Sequence, residues 1–238
     1  MIPFSECTDC TVNYRCPFFS GVVPKVDTRE CHHKIKLDML FNVSGVPGKY
    51  QRKLLKDFVV DDSNKYIYDI LQSIVASWKP HTVNNYFNYI FNGPGYGTGK
   101  THSACTLLNE FIIKEYGLYD METPVSMYVD FSSLMDRIRS NIEHPDEELH
   151  NYLTHISQCN LLVVDDVGAA RITDYVRDRA FVIFNERYMN NRSTIVCSNY
   201  NLDYLNQDVA LTGRIISRLR ENGEVISFTG KDRRVFNV

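Results

Sequence analysis

The apolar residues of this chain fall into two kinds of period. Tyr66, Ile67, Ile70, Leu71, Ile74, Val75 and Trp78 recur at helical spacing until Lys79-Pro80 interrupts them, which predicts an amphipathic helix. Tyr89-Ile90-Phe91 then reads as a short strand running into a glycine cluster over 93–99, and Ala104, Cys105, Leu107, Leu108, Phe111 and Ile112 return to helical period. Further strands are expected at 125–129, 161–164, 193–197 and 224–228, each apolar and β-branched enough to be buried. Helical patterns lie around and between them at 134–142, 147–156, 175–188 and 215–220. Strands alternating with helices predict an α/β fold, a parallel sheet covered on both faces, with ligands at the carboxyl ends of the strands.

The first 35 residues do not share this patterning. They hold two prolines besides Pro3 and four cysteines, Cys7, Cys10, Cys16 and Cys31, and too little periodic apolar character to build a core. A Gly/Pro-punctuated stretch, Ser44-Gly45-Val46-Pro47-Gly48-Lys49-Tyr50, follows and reads as a linker or docking loop. The chain thus divides into a cysteine-rich module over 1–40, a linker over 41–62 and a main domain over 63–238.

Composition narrows the classes. With 238 residues, 44% hydrophobic and 23% charged, the chain is expected to be globular rather than disordered. A formal charge of −3 argues against coating nucleic acid by global charge. No apolar run approaches the ~18 residues of a membrane span, and the start Met-Ile-Pro-Phe-Ser-Glu lacks a secretory pattern. A cytoplasmic location is the expectation. In a reducing compartment the crowded cysteines read as metal ligands rather than disulfides.

The chemistry concentrates in Gly93-Pro94-Gly95-Tyr96-Gly97-Thr98-Gly99-Lys100-Thr101. Glycines let backbone N–H groups converge on phosphate oxygens, and the next helix adds its N-terminal dipole. Lys100 is expected to reach the β- and γ-phosphates of ATP, and the Thr101 hydroxyl to ligate Mg²⁺. Gly95, Tyr96, Gly97, Thr98, Gly99 and His102 complete the expected nucleotide contacts. The loop departs from the G-x-x-x-x-G-K-[ST] pattern at one place: Pro94 occupies the first glycine position, and Gly93 stands one residue early.

A second signal is Leu161-Leu162-Val163-Val164-Asp165-Asp166, a buried strand ending in two carboxylates. Asp165 is assigned to Mg²⁺ and Asp166 to the attacking water. Glycine loop and acidic strand end together point to a P-loop ATPase.

At the amino end, Cys7-x₂-Cys10-x₅-Cys16 and Cys31-His32-His33 supply four thiols and two imidazoles. Four thiolates around Zn²⁺ would fold a segment that has no core. His32 or His33 is an alternative fourth ligand to Cys31, and an iron–sulfur cluster is an alternative to zinc.

Taken together, 97–102, Val163-Val164-Asp165-Asp166-Val167-Gly168-Ala169, Cys197-Ser198-Asn199-Tyr200 and Gly213-Arg214-Ile215-Ile216-Ser217-Arg218-Leu219 resemble the DnaC/DnaI-type helicase loaders and the IstB-type transposition helper ATPases. The likeness spans about 44–234, and Ser44 to Phe58 resembles the family's Gly-Ile-Pro entry into the ATPase domain. The resemblance implies an AAA+ three-layer sandwich. It also implies a sensor-1 role for Asn199 at the γ-phosphate or attacking water, and an arginine-finger role for Arg218, with Arg214 the alternative. A finger acting in trans implies a homo-oligomer and slow turnover by the monomer. The family usually has Glu where this chain has Asp166, and a chain ending nine residues after Thr229 is expected to lack the helical lid of many AAA+ proteins, with Arg233 and Arg234 only weak substitutes for sensor-2. Loaders of the DnaI kind carry an amino-terminal zinc domain that grips the helicase, so 1–40 would dock the partner. The implied function is loading of a DnaB-type hexameric helicase onto single-stranded DNA. The other readings are an IstB-type helper and a nucleotide-gated adaptor with little hydrolysis. Arg171, Tyr175, Arg177 and Arg179 are candidates for DNA contact.

Overall fold

Residues 32–78, 86–115, 125–141, 147–168, 173–205 and 213–234 are described by a computed structural model, with side chains from residue 36 onward. Five strands, β1 (Asn88–Asn92), β2 (Ser126–Asp130), β3 (Leu161–Asp165), β4 (Ser193–Ser198) and β5 (Gly223–Ser227), form one sheet in the order β2-β3-β4-β1-β5. Every pairing is parallel. The expected strands lie within a residue or two of those observed.

Side-chain alternation along the strands explains why they read as unbroken apolar runs. Leu161 and Val163 of β3 point to one face with Phe91, Ile195, Cys197 and Ile226. Their neighbours Leu162 and Val164 point to the other face with Ile90, Met127, Val129 and Val196. Both faces are covered, so neither parity of residue faces water. The helices α1 (His32–Val43), α2 (Lys65–Ser77) and α3 (Lys100–Glu115) pack on the first face. On the second lie α4 (Phe131–Ser140), α5 (Glu147–Gln158), α6 (Asp174–Met189), the short α7 (Leu202–Leu205) and α8 (Gly213–Glu221). The α4 helix starts three residues before its expected position because Asp130, the last residue of β2, caps it: Ser133 N donates to Asp130 Oδ1 at 2.8 Å.

The amino-terminal part of the described chain was the least foreseen. Leu37, Leu40 and Phe41 of α1 are buried in the core that α3 shares, so residue 40, the expected edge of the first module, falls inside a helix. The residues read as a linker or docking loop do dock. Tyr128 N donates to Ser44 O at 2.7 Å, Val46, Leu54 and Leu55 are buried, and Asn109 Nδ2 of α3 donates to the carbonyls of Tyr50 and Lys53, both at 2.8 Å. Gly45 makes the close approach feasible, since it sits at φ +72° and a Cβ there would lie 2.8 Å from Tyr128 O.

One buried cation ties the amino ends of the central strands together. Arg187 of α6 is 1% exposed, and its hydrogen bonds go to uncharged oxygens and the Cys159 sulfur. Nη1 donates to the Ile156 and Cys159 carbonyls at 2.7 and 2.8 Å, Nη2 to those of Asn160 and Ser193, and Nε to Thr194 Oγ1 at 3.0 Å. The guanidinium fork thereby holds the turn before β3 against the start of β4. Arg187→Met should lower stability in urea denaturation by about 3–5 kcal/mol by leaving several buried carbonyls unpaired. Arg187→Lys should recover only part of the loss, because a point ammonium cannot span the fork.

Candidate functional site

The carboxyl ends of the parallel strands meet the start of α3 around a cleft of about 510 Å³. Its floor is the loop between β1 and α3. Gly97 and Gly99 adopt φ +68° and +103°, which turns successive backbone N–H groups toward the cleft. The early glycine, Gly93, has a separate reason. A Cβ there would lie 2.2 Å from Phe228 O, where the chain leaving β5 crosses the loop. Gly93 is thus required by packing against the Phe228 backbone.

Lys100 is 7% exposed, and its Nζ donates to Gly95 O at 2.7 Å, Gly93 O at 3.1 Å and Thr98 Oγ1 at 3.2 Å. All three acceptors are uncharged, and burial lowers the pKa of this ammonium. A buried cation hydrogen-bonded only to uncharged oxygens, at a helix N-terminus, fits a polyanion such as the phosphates of a nucleotide. Thr101 Oγ1 donates to Asp165 Oδ1 at 3.1 Å, so a hydroxyl and a carboxylate stand together beside Lys100. This oxygen pair fits a hard cation such as Mg²⁺.

Asp166 begins the turn after β3 at φ +55°, a left-handed conformation that Asp tolerates better than most residues. Asn199, just after β4, donates from Nδ2 to Asp166 Oδ1 at 3.0 Å. Burial, reinforced by the Asp165 and Asp130 charges, raises the Asp166 pKa. The structure therefore brings Lys100, Thr101, Asp165, Asp166 and Asn199 to one cleft. Tyr96, Gly97, Thr98, Gly99 and His102 also line it, whereas Gly95 contributes the carbonyl that Lys100 uses. His102 is stacked between Phe58, with centroids 4.9 Å apart, and Tyr50, at 5.6 Å. Burial, then Lys53 and Arg233, lower its pKa, which favours the neutral imidazole.

Several residues in or behind the cleft wall are not part of the motifs. Tyr128 of β2 stands behind the wall and donates its hydroxyl to Asp165 Oδ2 at 2.8 Å. Burial and the Asp165 charge push this phenol far above its ordinary pKa, so it remains a donor. Nothing in the local pattern of β2 marks that role. Lys49 and Tyr50 reach the cleft from the docked segment. Arg233 and Arg234, read from sequence as weak candidates, are both on the wall. Arg233 N donates to Gly97 O at 3.1 Å, and its guanidinium pairs with Asp61 at 2.7 Å, which holds that carboxyl well below its usual range.

Arg218 is not at this cleft. It lies on α8 near Asn88 and Thr194, at the amino ends of β1 and β4. Its Nε donates to Asn185 Oδ1 at 3.1 Å, and its guanidinium lies over Phe181 and Tyr188. Arg214 also stands over Phe181. Of the candidate DNA-contact residues, Arg177 pairs with Asp174 at 2.8 Å, Arg179 folds over Tyr175, and Arg171 lies outside the described residues. Cys7, Cys10, Cys16 and Cys31 lie outside them too. Among the described residues no group of cysteines, histidines and carboxylates could hold a metal by themselves, and no helix is long and apolar enough to cross a membrane.

Comparison with known proteins agrees with this architecture. The family described as IstB-like ATP binding protein matches residues 31–237. Uncharacterized protein YqaM of Bacillus subtilis (strain 168) is 24% identical over 200 residues, covering 81% of this chain and 60% of that protein. Replicative helicase loader DnaC of Escherichia coli (strain K12) is 21% identical over 200 residues, covering 84% and 76%. The crystal structure of the DnaC helicase loader superposes with a TM-score of 0.61 at 22% identity, over 77% of this chain and 100% of that one. The fold is thus the P-loop AAA+ sandwich expected from the sequence.

The raised pKa of Asp166 has a sign that can be measured. A carboxyl whose pKa is higher folded than unfolded binds its proton more tightly in the folded state, so its contribution to stability falls as pH rises from the unfolded value of 3.8 through the folded one. Asp166→Asn should flatten this decline and raise Tm near pH 7 by about 2 °C, as followed by thermal melts across pH 4–8.

Proposed function

The chain belongs to the family of IstB-like ATP binding proteins, and on that premise we propose that it is a Mg²⁺-dependent ATPase that loads a DnaB-type hexameric helicase onto single-stranded DNA. The observation that carries the ATPase reading is the convergence of Lys100, Thr101, Asp165, Asp166 and Asn199 on one cleft at the carboxyl edge of a parallel sheet, and similarity to the helicase loader DnaC supports the loading role.

In this reading the backbone N–H groups of 97–101 and the start of α3 cradle the phosphates, and Lys100 exchanges its loop carbonyls for the β- and γ-phosphate oxygens. Thr101 and Asp165 would hold Mg²⁺, which would offset phosphate charge. Asp166 orients the attacking water through its second oxygen, while Asn199 fixes the first. The raised pKa of Asp166 suits a group that takes up a proton as the water attacks.

Arg218 acts on a neighbouring subunit's nucleotide. Its distance from its own cleft supports a role in trans, with a homo-oligomer as the consequence. Cys7, Cys10, Cys16 and Cys31 would hold Zn²⁺ in a module that would dock on the helicase. A second reading, an IstB-type transposition helper acting on duplex DNA, is favoured by the family match itself.

Turnover by the purified protein, alone and with a DnaB-type helicase and single-stranded DNA, separates these readings. Lys100→Ala should abolish nucleotide binding. Arg218→Ala should keep binding but lose about 10³-fold in partner-stimulated turnover. Stimulation by duplex DNA and a transposase, with none by the helicase, would favour the transposition reading. Nucleotide binding without turnover under any condition would leave a nucleotide-gated adaptor.

A further inference from the structure

The strand β2 carries no residue of the nucleotide motif, yet it supplies one hydroxyl to the carboxylate that ends β3. Tyr128 OH donates to Asp165 Oδ2 at 2.8 Å, and Thr101 Oγ1 donates to Asp165 Oδ1 at 3.1 Å. The two donors come from different sides and bind different oxygens, so together they fix the rotation of the carboxylate.

The tyrosine itself is firmly placed. Its backbone pairs with β3, where Tyr128 stands opposite Val163. On the free edge of the sheet its N–H donates to Ser44 O at 2.7 Å, and Gly45 permits that approach. The ring is half-buried against the core that α1 and α3 share. With its backbone fixed in the sheet and its ring packed on the core, Tyr128 has little freedom to follow a carboxylate that turns.

We infer that Tyr128 is a positioning residue for Mg²⁺: its hydroxyl holds Asp165 Oδ2 and so fixes the carboxylate whose Oδ1 stands beside Thr101 Oγ1. Asp165 Oδ1 and Thr101 Oγ1 would hold the cation, and the bond from Tyr128 to Oδ2 would keep the carboxylate in place for it. Tyr128 pre-orients the metal-binding oxygen in the same way that a group behind a ligating histidine sets its ring. The inference rests on the ATPase reading and concerns only the metal step within it.

The test is Tyr128→Phe, which removes one oxygen and keeps the ring that packs in the core. Binding of a fluorescent ATP analogue is titrated with Mg²⁺ and, separately, measured in EDTA. The Mg²⁺ concentration for half-maximal enhancement of binding should rise about tenfold, while affinity in EDTA stays at the wild-type value. At saturating Mg²⁺, kcat should return toward wild type, since the carboxylate is still present. A purely structural role would weaken binding in EDTA and in Mg²⁺ alike, and that outcome overturns the inference. So does an unchanged Mg²⁺ midpoint in a variant that binds nucleotide. If the wild-type protein binds no nucleotide in either condition, the ATPase reading fails first and this inference with it.

Discussion

The hydrogen bonds that converge on the Asp165 carboxylate are what the rest of the site depends on. Thr101 approaches from the first turn of α3, Tyr128 from β2, and the carboxylate itself ends β3. Three elements that are distant along the chain are thereby brought to a common point. A parallel sheet makes this possible, because every strand delivers its carboxyl end to the same edge. The apolar core on both faces supplies the rigidity: the strand residues that precede Asp165 are at most 1% exposed, so the carboxylate cannot shift without disturbing close packing.

A buried charge with no opposite charge bonded to it is the second feature of the cleft. Lys100 is nearly enclosed and donates to loop oxygens that carry no formal charge. Such an arrangement is costly in isolation, and its pKa is lowered accordingly. Asp166 shows the mirror image, a carboxyl raised by burial and by neighbouring carboxylates. Arg187 is a buried cation of another kind. Its fork is filled by carbonyls that no ligand displaces, so its energy goes into joining β3 and β4. The contrast separates a charge kept for structure from charges held in tension beside a cleft.

The docked segment links these features to the amino-terminal side of the chain. Between Ser44 and Phe58 it touches the β2 edge, Asn109 and Glu110 of α3, and the His102 ring. The same segment brings Lys49 and Tyr50 to the cleft wall, while Arg233 clamps Asp61 just beyond it and bonds the Gly97 carbonyl. Residues near both ends of the described chain thus close over one loop.

The sequence by itself determined the five strands and the helices that cover them apart from α1 and α7, because burial on both sides leaves unbroken apolar runs between helical periods, and the glycine loop and acidic strand end are local signals. It also determined that Lys100, Thr101, Asp165 and Asp166 share a neighbourhood, since strand, loop and helix must follow one another in a parallel sheet. Only the tertiary structure decided what surrounds them. Tyr128 reaches Asp165 across a strand pairing, Arg233 and Arg234 reach the cleft after the last strand crosses Gly93, and α1 joins the core through Leu37, Leu40 and Phe41, although its pattern is too weakly amphipathic to announce a helix. Arg218, by contrast, lies at the other end of the strands from the residues its motif accompanies. Such contacts depend on register and on which strand lies beside which, and a hydroxyl or guanidinium that acts across a sheet leaves no periodic trace in its own segment.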